Sequence, residues 1–271
     1  MESKLIKFLV YFFSCITFGS LFYVIGFILL NGISSLNWSM FAWNYTTSNV
    51  SMMPSILTTF VVVFLALLIA APIGVFTAFY LVEYADKNNK FVNVIRVATD
   101  TLSGIPSIVY GLFGMLFFVI FLGFKYSIIS GVLTSVIMVL PVIIRSTEEA
   151  LLAVRNSLRE GSFALGAGKL RTIFRVVLPV AMPGILSGII LAVGRIVGET
   201  AALMYTLGTS VNVPDNLFQS SRTLALHMYI LASEGIHVRE SYATGVVLIV
   251  IVLIINGIST WLSNRLTKGA K

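Results

Sequence analysis

Charge is what this sequence has least of. Its 271 residues include 18 lysines and arginines and 11 aspartates and glutamates, so 11% are charged, while 58% are hydrophobic. Ordinary soluble domains carry roughly 25% charge. A chain this apolar cannot surround a core with polar surface, so a water-soluble domain is excluded and a polytopic membrane protein is expected. Cysteine is nearly absent. The single Cys15 falls in an apolar run, which rules out an intrachain disulfide and leaves the redox compartment unreadable. The two histidines, His227 and His237, are too far apart in sequence to form a helical metal pair. There is no G-x-S-x-G nucleophile elbow. The one stretch near a phosphate loop, ending in Gly168-Lys169, has Phe163 at the first glycine position and Leu170 at the hydroxyl position. Any ATP is therefore expected on another chain, and neither a metal nor a cofactor on this one. The net charge of +7 would suggest nucleic acid in a soluble protein. In a membrane protein cytoplasmic loops collect lysine and arginine anyway, so no nucleic-acid partner follows. Repeats, low-complexity tracts, arginine-rich transit signals and lipidation motifs are also missing.

What is present is a series of apolar runs, each near the roughly 20 residues that span a bilayer. They cover 8–30, 56–81, 102–123, 128–144, 183–207 and 243–262, which predicts six transmembrane helices. The first is too long for a signal-peptide core and lacks a small-residue cleavage site. The third and fourth, separated by Phe124, Lys125, Tyr126 and Ser127, form a tight hairpin. Basic residues set the orientation. Lys4 and Lys7 precede the first run; Lys87, Lys90 and Arg96 separate the second from the third. Arg145, Arg155, Arg159, Lys169, Arg171 and Arg175 separate the fourth from the fifth, and Arg265, Lys268 and Lys271 follow the last. The alternate loops hold only Lys125, Arg222 and Arg239. Both termini are thus expected in the cytoplasm of a multi-pass protein of the cell membrane. In the first outer loop Trp38, Phe41, Trp43 and Tyr45 read as an aromatic belt at the lipid headgroups. In the last, Leu224, Met228 and Leu231 at helical spacing predict a short helix lying on the membrane surface.

Two features break the apolar pattern. One is the long polar stretch 145–180. The other is Arg195 with Glu199 inside the fifth run. Arg195 lies twelve residues after Pro183, about 18 Å along a helix rising 1.5 Å per residue, which places it near the midplane. Glu199, four residues on, is expected on the same helical face. A charged residue at that depth costs at least about 2.5–3.5 kcal/mol and usually lines a pathway or pairs within the bundle. An arginine there suits a tetrahedral oxyanion, because its planar fork donates two parallel hydrogen bonds; the alternative is a structural ion pair with Glu199. Thr200 belongs to the same run, and Ser107 and Tyr110, three apart on the third helix, are candidates to line the same path. The Gly194/Gly198 and Gly184/Gly188 pairs have the G-x-x-x-G spacing of closely approaching helices.

The loop carries a pattern more specific than its charge. Glu160-Gly161-Ser162, then Gly166, then Val176-Val177-Leu178-Pro179 resembles the E-A-A-x3-G-x9-I-x-L-P signature of ABC importer permeases. Gly166 would permit a tight bend between two short helices, and Pro179 would end the second. With Thr147-Glu148-Glu149-Ala150-Leu151, the run Gly104-Ile105-Pro106-Ser107-Ile108-Val109-Tyr110-Gly111 and the stretch Arg195–Thr200, the chain is similar to the phosphate-specific permease subunits over most of 56–262. Three departures stand out. Gly161-Ser162 replace paired alanines; Ala202 replaces a common proline, which removes the expected cause of a kink after Glu199; and Met52-Met53-Pro54 replace a glycine-rich stretch.

The resemblance implies an all-α type I importer permease that catalyses no bond chemistry. It implies one N-terminal helix with its outer loop (1–55), a five-helix core (56–264) carrying a coupling loop (145–180), and a cytoplasmic tail (265–271). Glu160, Gly161, Ser162, Gly166, Leu178 and Pro179 would couple to the ATPase, and Arg195, Glu199, Thr200, Ser107 and Tyr110 would line the substrate path. The implied partners are a paralogous permease, two ATP-binding subunits that hold ATP and magnesium, an extracytoplasmic phosphate-binding protein and the lipid bilayer. A permease for sulfate or molybdate, or a phosphate-sensing scaffold, would share most of these features. An intramembrane enzyme would need groups that the sequence lacks.

Overall fold

The computed structural model describes residues 2–86 and 89–268. Lys87 and Lys271, used above for orientation, lie outside the described residues, as does part of the 265–271 tail. The architecture is all-helical. Among the described residues five helical stretches are long and apolar enough to cross a membrane, and a sharply bent pair, 90–103 with 107–121, brings the number to six when it is counted as one span.

Helix α1 (Glu2–Ile33) leads into a 3₁₀ turn, Trp38–Phe41, and then to α2 (Met53–Phe79). A π-helical turn, Tyr80–Tyr84, extends α2. The amphipathic α3 (Lys90–Ser103) and α4 (Ser107–Gly114) follow, with a π-helical segment Met115–Phe121 continuing α4. Between α3 and α4 the chain bends by 106°. The third span is therefore not the straight 102–123 helix expected from hydropathy. Pro106 cannot donate to a helix and restricts the residue before it, so the chain breaks at Gly104-Ile105-Pro106 and restarts at Ser107.

Helix α5 (Ile128–Leu152) starts on a Ser127 cap whose hydroxyl accepts the Ser130 amide. It runs eight residues past the apolar run, so Arg145, Glu148 and Glu149 are helical. Next come α6 (Asn156–Ala164) and α7 (Lys169–Thr172), then a π-helical turn Ile173–Val177 into α8 (Leu178–Val197). The short α9 (Ala201–Met204), α10 (Leu224–Glu234) and α11 (Val238–Lys268) complete the chain.

Helices α2 and α5 form the centre and run in the same direction. Their starts are joined to the 206–224 segment: Thr58 Oγ1 meets Ser221 Oγ at 2.6 Å, Thr59 Oγ1 accepts the Leu224 amide at 2.8 Å, and the Ile128 amide donates to Gln219 O at 3.1 Å. Their other ends meet at α6. The core lies between these helices and α8, where Val62, Ala66 and Ala70 face Val132, Val139, Ala192 and Ile196. Small residues let the backbones close up. A Cβ on Gly184 would sit 2.6 Å from Ala150 Cβ, and one on Gly188 would collide with Ser146. That G-x-x-x-G pair packs α8 on α5. The Gly194/Gly198 pair does not, since a Cβ on Gly194 would meet nothing within 4 Å and one on Gly198 only the backbone of its own turn. Helix α1 stands outside this core and packs on α11, with Phe27 edge-on to Tyr242 at 5.7 Å and Gly32 against the Tyr242 backbone.

The helix expected at Leu224–Leu231 exists, and one face of it is packed into the protein. Leu224, Ala225, Leu226, His227 and Leu231 are all buried against α2 and α11.

Candidate functional site

Arg195 sits in the last turn of α8, not midway along a continuing helix. The helix begins at Leu178, upstream of Pro183, and stops at Gly198, so the 3.6-residue period that put Glu199 on the same face as Arg195 ends before it applies. Glu199 turns inward. It is 8% exposed and its Oε1 accepts the Ala202 amide at 2.9 Å, capping α9. Thr200 occupies the break (φ −121°, ψ −55°), and its carbonyl accepts from Met204. The kink after Glu199 thus forms without a proline, and a proline at 202 would lack the amide that Glu199 holds. The expected Arg195–Glu199 ion pair is absent among the described residues.

Arg195 is half-buried and has no hydrogen bond or ion pair among the described residues. It lines a groove of about 550 Å³ with Val142 of α5, Ser187, Ile190, Leu191 and Gly194 of α8, and Asn256 of α11. The missing Cβ of Gly194 leaves open space in that groove. Tyr110, buried at the start of α4, is within electrostatic reach of Arg195. Its hydroxyl donates to Leu102 O across the α3–α4 break at 2.6 Å, so it pins the bend and is already committed. Ser107, half-buried, opens α4 after Pro106. Asn256 was missed in the sequence. Its one signal there was being a lone amide in an otherwise apolar run.

The other cluster lies at the α6–α7 end. Glu160, Gly161 and Ser162 are on α6, which ends in a Schellman turn. Gly166 (φ +81°) donates to Phe163 O at 2.9 Å, and Ala167 donates to Ser162 O at 3.1 Å. A Cβ on Gly166 would meet nothing within 4 Å, so glycine is required there by backbone angle and not by space. Ser162 Oγ meets Thr172 Oγ1 at 2.9 Å and closes α6 on α7. Glu160 is exposed, and so are Phe163, Leu165 (91%) and Leu170. Leu178 and Pro179 open α8, so Pro179 begins a helix where it was expected to end one. Its ring and missing amide coincide with the end of the π-helical turn.

Arg159 ties α6 to the core. Its Nη2 donates to Glu83 Oε1 at 2.8 Å and to Leu151 O at 2.9 Å, and its Nη1 donates to Val154 O at 2.6 Å. One guanidinium thus caps α5 and grips the extension of α2, with both charged side chains largely shielded (14% and 10% exposed). Nearby, Arg96 pairs with Glu148 at 2.8 Å, and Arg145 pairs with Asp100 and with Glu149. The Arg96–Glu148 and Arg145–Asp100 pairs hold α3 against α5.

Residues 70–269 match the family model described as a binding-protein-dependent transport system inner membrane component. A probable ABC transporter permease of Bacillus subtilis, YqgI, is 35% identical over 260 residues, covering 89% of this chain and 88% of that protein. The phosphate transport system permease protein PstA 1 of Mycobacterium tuberculosis is 38% identical over 194 residues, covering 70% of this chain and 63% of that protein. Among solved structures, a bacterial ABC transporter that imports the acidic polysaccharide alginate superposes with a TM-score of 0.71 at 15% identity, covering 98% of both chains. The MetNI methionine transporter, in an inward-facing form, gives 0.60 at 21% identity, covering 80% of this chain and 94% of that one.

Proposed function

Because this chain belongs to the family of binding-protein-dependent transport system inner membrane components, and is the permease of an ABC importer and not its ATPase, we propose that it carries phosphate. Its site of passage is the groove at Arg195. The observation that carries this reading is an arginine within the bundle that has a groove beside it and no acceptor on it. An unpaired guanidinium at such a place is ready for an oxyanion, to which it can donate two parallel hydrogen bonds. The 38% identity to a mycobacterial phosphate permease supports phosphate among the oxyanions.

The partners follow from the same reading: a paralogous permease, two ATPase subunits and an extracytoplasmic phosphate-binding protein. The exposed Phe163, Leu165 and Leu170 beside Glu160 form the surface that docks on an ATPase. Arg159 then passes the displacement of α6 to α2 and α5 together, since its hydrogen bonds hold both. ATP-driven closure would shift the population between two helix arrangements. Both termini would face the cytoplasm, on the side of α6 and α7.

The test is uptake by vesicles carrying the complete complex, with excess sulfate or molybdate as competitor. ATP-dependent phosphate uptake that neither competitor lowers is expected. Suppression by sulfate, or sulfate uptake at a comparable rate, would overturn phosphate as the substrate.

A further inference from the structure

A second arginine without an ionic partner among the described residues lies at the opposite end of the molecule from α6. Arg222 is 4% exposed, and its neighbours Thr223 and His227, at and just inside the start of α10, are 1% and 0% exposed. Arg222 Nε and Nη2, Thr223 Oγ1 and both ring nitrogens of His227 make no well-formed hydrogen bond among the described residues; Tyr45 and the Val50 backbone are the polar groups that come nearest to Arg222 and His227. Among the described residues no carboxylate pairs with Arg222; Glu234 acts on it only through the longer-range field. What covers the group is Tyr45, with the Arg222 guanidinium carbon 5.3 Å from its ring centroid and its ring edge-on to His227 at 6.4 Å. This burial is complete within one chain, so a partner subunit could not supply the missing acceptor without the cover moving.

The cover is a strap of its own. Asn49 Oδ1 accepts the amides of Thr46 (2.9 Å) and Ser51 (3.0 Å), its Nδ2 donates to Asn44 O (2.9 Å), and Ser51 Oγ donates to Ala42 O. Between them Val50, buried beside His227, has φ +44°. A β-branched residue in that region is strained and persists only where the surroundings enforce it. A strained strap thus closes over a buried set of donors.

We propose that Arg222, Thr223 and His227 form a receiving site for a tetrahedral inorganic oxyanion at the outer mouth, closed in this state by the 42–52 strap through Tyr45. The donor set fits that ligand. Arg222 offers the N–H groups of Nε and Nη2 on its fork, Thr223 a hydroxyl and His227 one ring N–H, and the Glu234 carboxylate reaches the group only through its longer-range field. Burial, with the Arg222 cation adding to it, holds His227 down to about 3, so the ring stays neutral and serves as a donor. The site rests on the oxyanion reading above but does not use Arg195.

The experiment is equilibrium dialysis of labelled phosphate, and separately of labelled sulfate, against the full complex in nanodiscs without binding protein. Every variant carries Arg195→Gln to silence the other arginine; anion held on the ATPase subunits is common to all and cancels. Tyr45→Ala should expose the donors and raise binding. Arg222→Gln in that background should weaken it by at least about tenfold, the scale expected when a buried charged contact is removed, with Arg222→Lys intermediate. Equal binding with and without Arg222, or no gain from Tyr45→Ala, would overturn the site. Should Arg222→Gln fail to assemble, the Tyr45→Ala comparison still decides. Arg222-dependent binding of sulfate but not phosphate would keep the site and reject phosphate as its ligand.

Discussion

At the scale of single residues, two glycines on α8 separate packing from passage. A Cβ at Gly188 collides with Ser146. Gly188→Ala should therefore cost about 1–3 kcal/mol by overpacking and lower the assembled complex measured by detergent extraction and size exclusion. Gly194→Leu meets open space, so assembly should be normal while the side chain fills the groove and uptake falls. The reverse pattern would move the path away from Arg195. His227 gives a pH effect with a definite sign. Its folded pKa is held down to about 3 from an ordinary 6.5. Below pH 6.5 the unfolded chain takes up a proton that the folded chain refuses. Stability present above that pH should be lost at about 1.4 kcal/mol per unit as pH falls towards 5. Melting curves of the complex should show this slope, and His227→Gln should flatten it. Of these residues, Arg195 was legible in the sequence as an intramembrane charge. Its geometry was not, because a spacing of four means a shared face only while the helix continues, and the chain breaks at Gly198. Arg222 was read only as one charge in an outer loop, since sequence alone cannot distinguish a solvated arginine from a buried one.

At the scale of elements, the loop between α5 and α8 is built to hold one shape and to grip its neighbours. Gly166 supplies an angle and an amide to the Schellman turn. Gly166→Ala should cost on the order of 1 kcal/mol for the left-handed backbone. Gly166→Pro also loses the bond to Phe163 and should abolish substrate-stimulated ATP hydrolysis in a complex that still assembles. Wild-type stimulation in the proline variant would remove α6 from the coupling path. Glu83→Gln strips the counter-charge from the shielded Arg159 guanidinium. Breaking such a pair costs about 3–5 kcal/mol, which thermal unfolding of the complex should register. A change below 1 kcal/mol would mean that the two backbone carbonyls suffice. The existence of most helices was legible here, but their ends were not. Hydropathy reports contact with lipid, whereas backbone helix continues as far as caps and ion pairs permit. Helix α5 runs on past Ile144 to Leu152, and α8 is continuous with helix beginning at Lys169. The break before Ser107 needed only the proline rule, which the uniform greasiness of the run obscured.

At the scale of the whole molecule, the proposed route is the groove between two opposed ends, and the surface proposed to dock on the ATPase lies at one of them. The Arg222 end joins the starts of α2 and α5, and the Arg159 end joins their finishes, so the two helices are tied to each other at both ends. The sidedness is testable in a Cys15→Ala background. Single cysteines at Ser39 and Asn212 should react with an impermeant thiol reagent added to intact cells, and one at Ser157 should react only after permeabilisation. Labelling of Ser157 in intact cells would invert the orientation. The most direct measurement is phosphate uptake per assembled complex for wild type, Arg195→Lys and Arg195→Ala. Since Arg195 has no ionic partner to strand among the described residues, all three should assemble alike. Uptake should fall with lysine, which keeps the charge but loses the bidentate fork, and be lost with alanine. Near-normal uptake by assembled Arg195→Ala would contradict passage of phosphate at this arginine.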